Sequence, residues 1–231
     1  MTPGHALAKR HGITDYAAIT SSTSPIQPAG FIYVETDRFL PAPHPQASQS
    51  AAGPDRPQAL EIWANEPLEE LKFLRRIVDE RPNEGDGFAA GQGAAMLGCV
   101  VWAPFLLAPS LFDAYLSIAE EVSGPRLWER VVGFRYLLQG RGEDDVRQLV
   151  QSGDWIRNVA ALRKGRGGRG WTFDVGVDAH RDGVEVVEVV ADMVEKVRAV
   201  ERESPELGSV RFVLGEYRLV CLIFGALGWP P

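Results

Sequence analysis

The stretch VVGFRYL, residues 131–137, decides how the chain is read. It is apolar on both faces, rich in β-branched and aromatic residues, and interrupted only by Arg135. That is the pattern of a parallel strand covered by helices rather than of a half-solvated antiparallel one. Four more segments share the character: FIYVET (31–36), MLGCVVW (96–102), WTFDVGV (171–177) and VRFVL (210–214). Between them lie helical stripes: Leu68, Leu71, Leu74 and Val78; then Leu111, Phe112, Tyr115, Leu116, Ala119 and Val122. Trp155, Val159 and Leu162 form a third stripe, and Val186, Val190, Met193, Val194, Val197 and Val200 a fourth. Ser110 is placed to cap the second of these helices and Gly124-Pro125 to stop it. Asp182 and Glu185 have capping-box spacing, and Asp192 and Lys196 sit four apart. Strand and helix in alternation mean βαβ units and a parallel sheet.

The expected strands starting at 96, 131, 171 and 210 follow one another after 35, 40 and 39 residues. The step from 31 to 96 is 65, because residues 39–60 form a segment rich in Pro, Ala, Ser and Gln, read as a flexible surface loop. A dinucleotide-binding sheet needs G-x-G-x-x-G between a strand and its helix. GRGGRG (165–170) has the spacing but precedes a strand, so it is read as a helix terminator with basic residues suited to the helix dipole. An α/β barrel is therefore favoured over an open sheet, with a flavodoxin-like nucleotide- or flavin-binding domain of five strands as the rival. Only 30 residues precede the first expected strand and 17 follow the last, while each further unit needs about 30. The expectation is a TIM-barrel-like (β/α)₈ fold that is incomplete, with about strands 2–6 present in residues 1–214.

With 45% hydrophobic residues in 231, the chain has enough apolar surface for a sizeable core. Its net charge of −7 argues against nucleic acid as a partner. Two cysteines, Cys99 and Cys221, make neither a disulfide framework nor a metal knuckle. No signal peptide is evident, and the apolar tail Leu219–Trp229 falls short of the roughly 20 residues a spanning helix needs. A cytoplasmic protein without membrane contact is expected.

GFIYVETDRFLP (30–41), LGCVVWAP (97–104), VVGFRYLLQ (131–139), WTFDVGVD (171–178) and VRFVL (210–214) follow one another in a familiar order. From about Pro3 to Leu214 the chain resembles the amidohydrolase-related family, in the branch of fungal L-rhamnono-γ-lactonase-like and bacterial L-fuconolactonase-like proteins. The most specific pieces are G-F/V-R-Y/H-L-L-Q and F-D-L/V-G-V-D. The resemblance implies a (β/α)₈ barrel that hydrolyses sugar lactones at the C-terminal ends of its strands. It also implies a divalent metal, zinc among the candidates, held by an H-x-H pair on the first strand, a histidine after the sixth and a final aspartate. This sequence departs from the pattern there. It contains no H-x-H, and Gly215-Glu216-Tyr217-Arg218 stands where the sixth-strand histidine belongs. The chain is therefore expected to bind no metal, to be catalytically impaired, and to self-associate through unpaired sheet edges.

Seven residues stand out as site candidates. Arg135 inside a strand either orients substrate at the barrel mouth or makes a structural ion pair, with Asp174 as the natural partner. Gln139, just beyond, either bonds sugar hydroxyls or is solvated. Asp178 and His180 are placed to act as general base and polarising group, or else Asp178 bonds turn amides and His180 is exposed. Glu35 and Asp37 bracket a strand end and could bind substrate, hold a cation or act as acid and base, or else cap the next helix or pair with Arg38. Trp102 is either an aromatic wall for a sugar ring or core. His5, His11 and His44 are read as surface residues.

Gly215-Glu216-Tyr217 can be encoded by GGT GAG TAC, which contains the common intron-donor string GTGAGT. Residues 215–231 are therefore expected to be translated intron, outside the family-like domain, with Met1 an internal methionine. Transcript sequencing checks this. An upstream in-frame H-x-H is the expected result, and a message coding through residue 231 to a stop without one contradicts it.

Overall fold

The computed structural model describes residues 12–23, 28–36 and 56–214. Asp37, His5, His11, His44 and the tail from 215 lie outside the described residues. In chain order the elements are α1 (Ile13–Thr23), β1 (Phe31–Val34), α2 (Arg56–Trp63), α3 (Asn65–Val78), β2 (Met96–Trp102) and α4 (Pro109–Trp128). They continue with β3 (Val131–Arg135), α5 (Glu143–Val150), α6 (Gly153–Ala161), β4 (Thr172–Val175), α7 (Ala179–Asp182), α8 (Glu185–Glu201) and β5 (Arg211–Leu214). All five strands lie where the apolar runs put them.

The strands form one parallel sheet in the order β1-β2-β3-β4-β5. This order has a topological consequence. Crossovers between parallel strands are right-handed, so a sheet whose order never reverses carries its connecting helices on one face. A flavodoxin-like sheet reverses direction and binds its ligand at the reversal; among the described residues this sheet has no such switch point. Closure into a barrel is not seen among the described residues, where β1 pairs with β2 alone and β5 with β4 alone.

The covered face is aromatic. Phe173 of β4 packs edge-on against Phe105 at 5.0 Å between ring centroids, and Phe105 meets Trp155 of α6 at 5.4 Å. Trp155 is fully buried and donates its indole N–H to Met193 Sδ of α8 at 3.1 Å. Between α6 and the loop after β2, buried Asn158 donates to the carbonyls of Phe105 and Leu107 at 2.9 and 2.7 Å. An otherwise orphaned loop backbone is thus satisfied inside the core. The stripes on α3, α6 and α8 turn inward as their periodicity requires.

Several local expectations need correction. Residues 56–60, inside the segment read as a loop, begin α2. Ser110 does not cap α4; Ala108 holds the cap position, and Pro109 starts the helix with its preset φ, which puts Ser110 inside the first turn. Gly124 at φ +65° kinks the helix, but Pro125 starts a further turn and α4 runs on to Trp128. The Val122 carbonyl before the break accepts from Arg75 of α3 at 3.0 Å. Asp182 and Glu185 form no capping box, since Asp182 lies in α7 and its carboxylate accepts the Gly140 N–H at 2.7 Å. Lys196 donates to Gln151 at 3.1 Å rather than pairing with Asp192.

The opposite face is exposed at both edges. Tyr33 and Phe212 point to the helices, so alternation sends their neighbours Ile32, Val34 and Val213 the other way; these are 58%, 37% and 46% exposed. Apolar groups beside unpaired strand edges favour association between chains. Size-exclusion chromatography with light scattering is expected to show a concentration-dependent dimer or larger species, shifted toward monomer by Val213→Lys. A clean monomer at every concentration contradicts it.

Candidate functional site

Parallel strands place all their C-terminal ends on one rim, which brings together residues far apart in sequence. The register sets Trp102, Arg135 and Asp174 side by side on β2, β3 and β4. Glu35 follows β1, its backbone N–H bound to the Val100 carbonyl at 2.9 Å. The Arg135 guanidinium is the hub. Its Nε lies 2.8 Å from Glu35 Oε1, its Nη2 donates to the Glu35 carbonyl, and its Nη1 is 3.7 Å from Asp174 Oδ2.

Access separates these groups. The Glu35 side chain is 0% exposed, that of Arg135 20% and that of Asp174 11%. Glu35 is the buried counter-ion beneath Arg135. Arg135 keeps the most contact with solvent of the three, and Asp174 only a little. Burial pushes the Asp174 carboxyl above its ordinary range, with the charge of Arg135 opposing the rise. The Arg135 ion pair with Asp174 is one the residue types allowed; the closer one, with Glu35, was not foreseen.

Gly176 makes room for this arrangement. A Cβ there would stand 3.0 Å from Leu137 Cδ1 and 3.3 Å from Arg135 Cδ, so glycine leaves the arginine stem its floor. The Gly176 carbonyl also accepts the N–H groups of Leu138 and Gln139 at 3.0 and 2.9 Å, tying the loops after β3 and β4 together.

A second polar group stands on these loops. Asp178 is the N-cap of α7: its Oδ1 accepts from the backbone of His180 at 2.9 Å and of Arg181 at 3.2 Å. Its Oδ2 accepts from Gln139 Nε2 at 2.8 Å. Desolvation opposes the charge on Asp178, but the two amides, Gln139 and the nearby His180 outweigh it and hold the carboxyl below its ordinary value. Of the two readings of Asp178, the contacts seen are those of the one in which it bonds the turn amides, and a carboxylate so committed is a weak proton acceptor. His180 is exposed on α7, and it is the backbone of His180 that meets Asp178. Gln139 and Asp178 are thus brought together, as a loop clasp.

Trp102 is not an open wall. It is 6% exposed and packed against Trp63, Tyr115 and Tyr136 at 5.8, 5.3 and 6.1 Å between centroids. The strand end is roofed by α2 and α4, which the sequence pattern did not reveal. Glu70 of α3 was also missed. It is buried, and its Oε1 accepts from the Tyr33 hydroxyl, the Thr36 backbone at 3.0 Å and the Thr36 hydroxyl at 2.8 Å. A glutamate on a helix rich in charges gives no sequence signal that it turns inward.

Among the described residues no group of three or more His, Cys, Asp or Glu side chains is placed to hold a metal ion. Glu35 is engaged by Arg135, Asp174 faces the same cation, and Asp178 caps a helix. These donors do not fit the divalent ion that the resemblance implies. Compared with protein-family models, with curated proteins and with solved structures, the chain matches none. What fold and rim define is an α/β protein with a singly wound parallel sheet whose strand ends gather Arg135 between two carboxylates.

Arg135→Met leaves Glu35 buried beside no guanidinium and is expected to cost about 3–5 kcal/mol by denaturant unfolding, with Arg135→Lys recovering only part. A loss under about 1 kcal/mol contradicts the hub role. Asp174 adds a pH signature. Its folded pKa lies above the ordinary value of 3.8, so its contribution is most favourable in acid and is lost as pH climbs through the raised pKa. From about pH 4 to about pH 7, the stability of Asp174→Asn relative to the unsubstituted chain is expected to improve. A difference that stays flat or moves the other way contradicts it.

Proposed function

We propose that the sheet is a sector of a (β/α)₈ barrel of the amidohydrolase-related type, and that the rim opens sugar γ-lactones by attack of water. One observation carries the reading: five parallel strands in unbroken sequential order bring a partly exposed Arg135 and a largely buried Asp174 together at their C-terminal ends. Barrel enzymes keep their chemistry at that end.

The two residues have complementary parts. Arg135, fixed from beneath by Glu35, donates to the lactone carbonyl oxygen and stabilises the negative charge that develops there. Asp174, its affinity for protons raised by burial, takes a proton from water as the water oxygen bonds to the carbonyl carbon. The ring C–O bond then breaks, the departing oxygen receives the proton from Asp174, and a hydroxy acid leaves. Gln139 contacts sugar hydroxyls at the loop. Turnover is expected to be slow, because the H-x-H pair is missing from the sequence. Among the described residues no helix is long and apolar enough to cross a membrane, and the proposed setting is cytoplasmic with a small-molecule partner. A second reading, lactone binding without turnover on a degenerate barrel, draws support from the internal engagement of Glu35 and Asp178.

Acid release from L-rhamnono-γ-lactone and related aldono-γ-lactones, followed by pH-stat alongside calorimetric binding, tests the proposal. Hydrolysis above the buffer rate is expected, falling about 100-fold in Asp174→Asn. Binding without hydrolysis selects the second reading. Neither binding nor hydrolysis with any lactone removes both.

A further inference from the structure

Toward the N-terminal end of β1, remote from the rim, a cavity of about 380 Å³ lies between α1, β1 and α3, within the size range of small-molecule sites. Five aromatic rings line it: Tyr16 of α1, Phe31 and Tyr33 of β1, Phe73 of α3, and Phe88 of the loop after α3. Ile13 and Ile77 add to the apolar wall. Tyr16 is 49% exposed, so its ring borders both the cavity and solvent. The walls are firmly set. Thr14 gives its N–H to the Gly87 carbonyl and its hydroxyl to Gln92 Oε1, each at 3.1 Å. Gly12 approaches the same loop so closely that a Cβ on it would fall 2.1 Å from the Gly87 carbonyl oxygen. Phe73 and Phe88 meet edge-on at 6.1 Å between centroids, and the Arg76 guanidinium covers Phe73 at 5.4 Å. The first turn of α1 is thus seated on the loop before β2, and the space they enclose is not the product of a loose fit.

The polar groups of the wall are already engaged. Asp86 is the charged residue among the described lining residues. Its Oδ2 accepts from Arg76 Nε at 2.8 Å and from the Asn83 N–H at 3.0 Å, and its Oδ1 from Arg76 Nη2 at 3.0 Å. The Tyr33 hydroxyl is given to Glu70. The Gly12 N–H goes to Asp15 Oδ2 at 2.8 Å, and its carbonyl accepts the Tyr16 N–H at 3.1 Å. A charged ligand would therefore lose its hydration here and find no opposite charge to replace it. Charge selects a neutral occupant, and the rings select its shape. Aromatic pairs gain attraction from edge-on and offset contacts beyond the area they bury. An apolar cavity of about 150 Å³ holds one benzene ring, so this larger space suits two fused rings.

We propose that this cavity binds a neutral, planar aromatic molecule of about two fused rings, held among Phe31, Phe73 and Phe88 and bounded toward solvent by Tyr16. The assignment stands apart from lactone chemistry at the rim and does not depend on it.

Calorimetric titration of the full chain with 2-naphthol, 2-naphthoate and decahydro-2-naphthol tests the assignment, since the three share a size and differ in charge or aromaticity. 2-Naphthol is expected to bind with a Kd of about 0.1–1 mM. The charged naphthoate is expected to bind at least about tenfold more weakly, and the saturated alcohol at least about threefold more weakly. Ile13→Trp, which brings a larger ring into the space from a half-buried position, is expected to abolish 2-naphthol binding in a folded chain. Tyr16→Ala, an exposed change, is expected to weaken it about threefold with an unchanged unfolding midpoint. Naphthoate or the saturated alcohol binding as well as 2-naphthol, no saturable binding at millimolar concentration, or wild-type affinity in both variants would each overturn the proposal. So would a dimer that binds no 2-naphthol and that Tyr16→Ala dissociates in light scattering, which would assign the cavity to a second copy.

Discussion

The charge on Arg135 is the constraint around which the rim is organised. A guanidinium at the end of a parallel strand loses most of its water and persists only where carboxylates and carbonyls replace it. Glu35 does most of this, wholly buried and 2.8 Å from Nε. Glu35 stands just beyond β1 and Arg135 ends β3, and these strands are not neighbours. Adjacent strands lie about 4.8 Å apart, so the pair spans roughly 10 Å across the end of β2. The contact ties the edge strand to the centre of the sheet, and the 3.7 Å approach to Asp174 extends the tie to β4. One side chain thus connects three strand ends and leaves its outer surface facing solvent.

Environment divides the rim carboxylates into roles. Glu35 is enclosed and serves as counter-ion. Asp174 is partly enclosed, faces a cation on one side only, and is pushed toward holding a proton. Asp178, on the loop, is held ionised by two backbone amides and Gln139. Carboxylates whose proton affinities are driven apart by their settings are the usual mark of divided acid–base labour. In the hydrolysis proposed, this division favours Asp174 over Asp178 as the group that accepts and returns a proton.

Much of the sheet was legible because buried parallel strands leave continuous apolar, β-branched runs. The helices α3, α6 and α8 were legible because their apolar residues recur at helical spacing. The helices α1 and α5 were not: ITDYAAITSST carries no clear apolar stripe, and EDDVRQLV is short with an acidic first turn. At the site, the Arg135–Asp174 contact followed from two strands in register, a local fact. The Glu35 contact bridges 100 residues and skips a strand, which no single-segment pattern encodes. Trp102 stayed open between wall and core for a related reason. Alternation tells which face a side chain takes, but α2 and α4 decide whether that face is covered.

The claim on which the account rests is that Arg135 and Glu35 act as one buried unit. A double-mutant cycle with Arg135→Met, Glu35→Gln and the pair, measured by denaturant unfolding, tests it most directly. The account predicts a coupling of at least about 1.5 kcal/mol, with the double variant more stable than the sum of the single losses allows. Losses that simply add would contradict it and return Arg135 to the status of an ordinary surface cation.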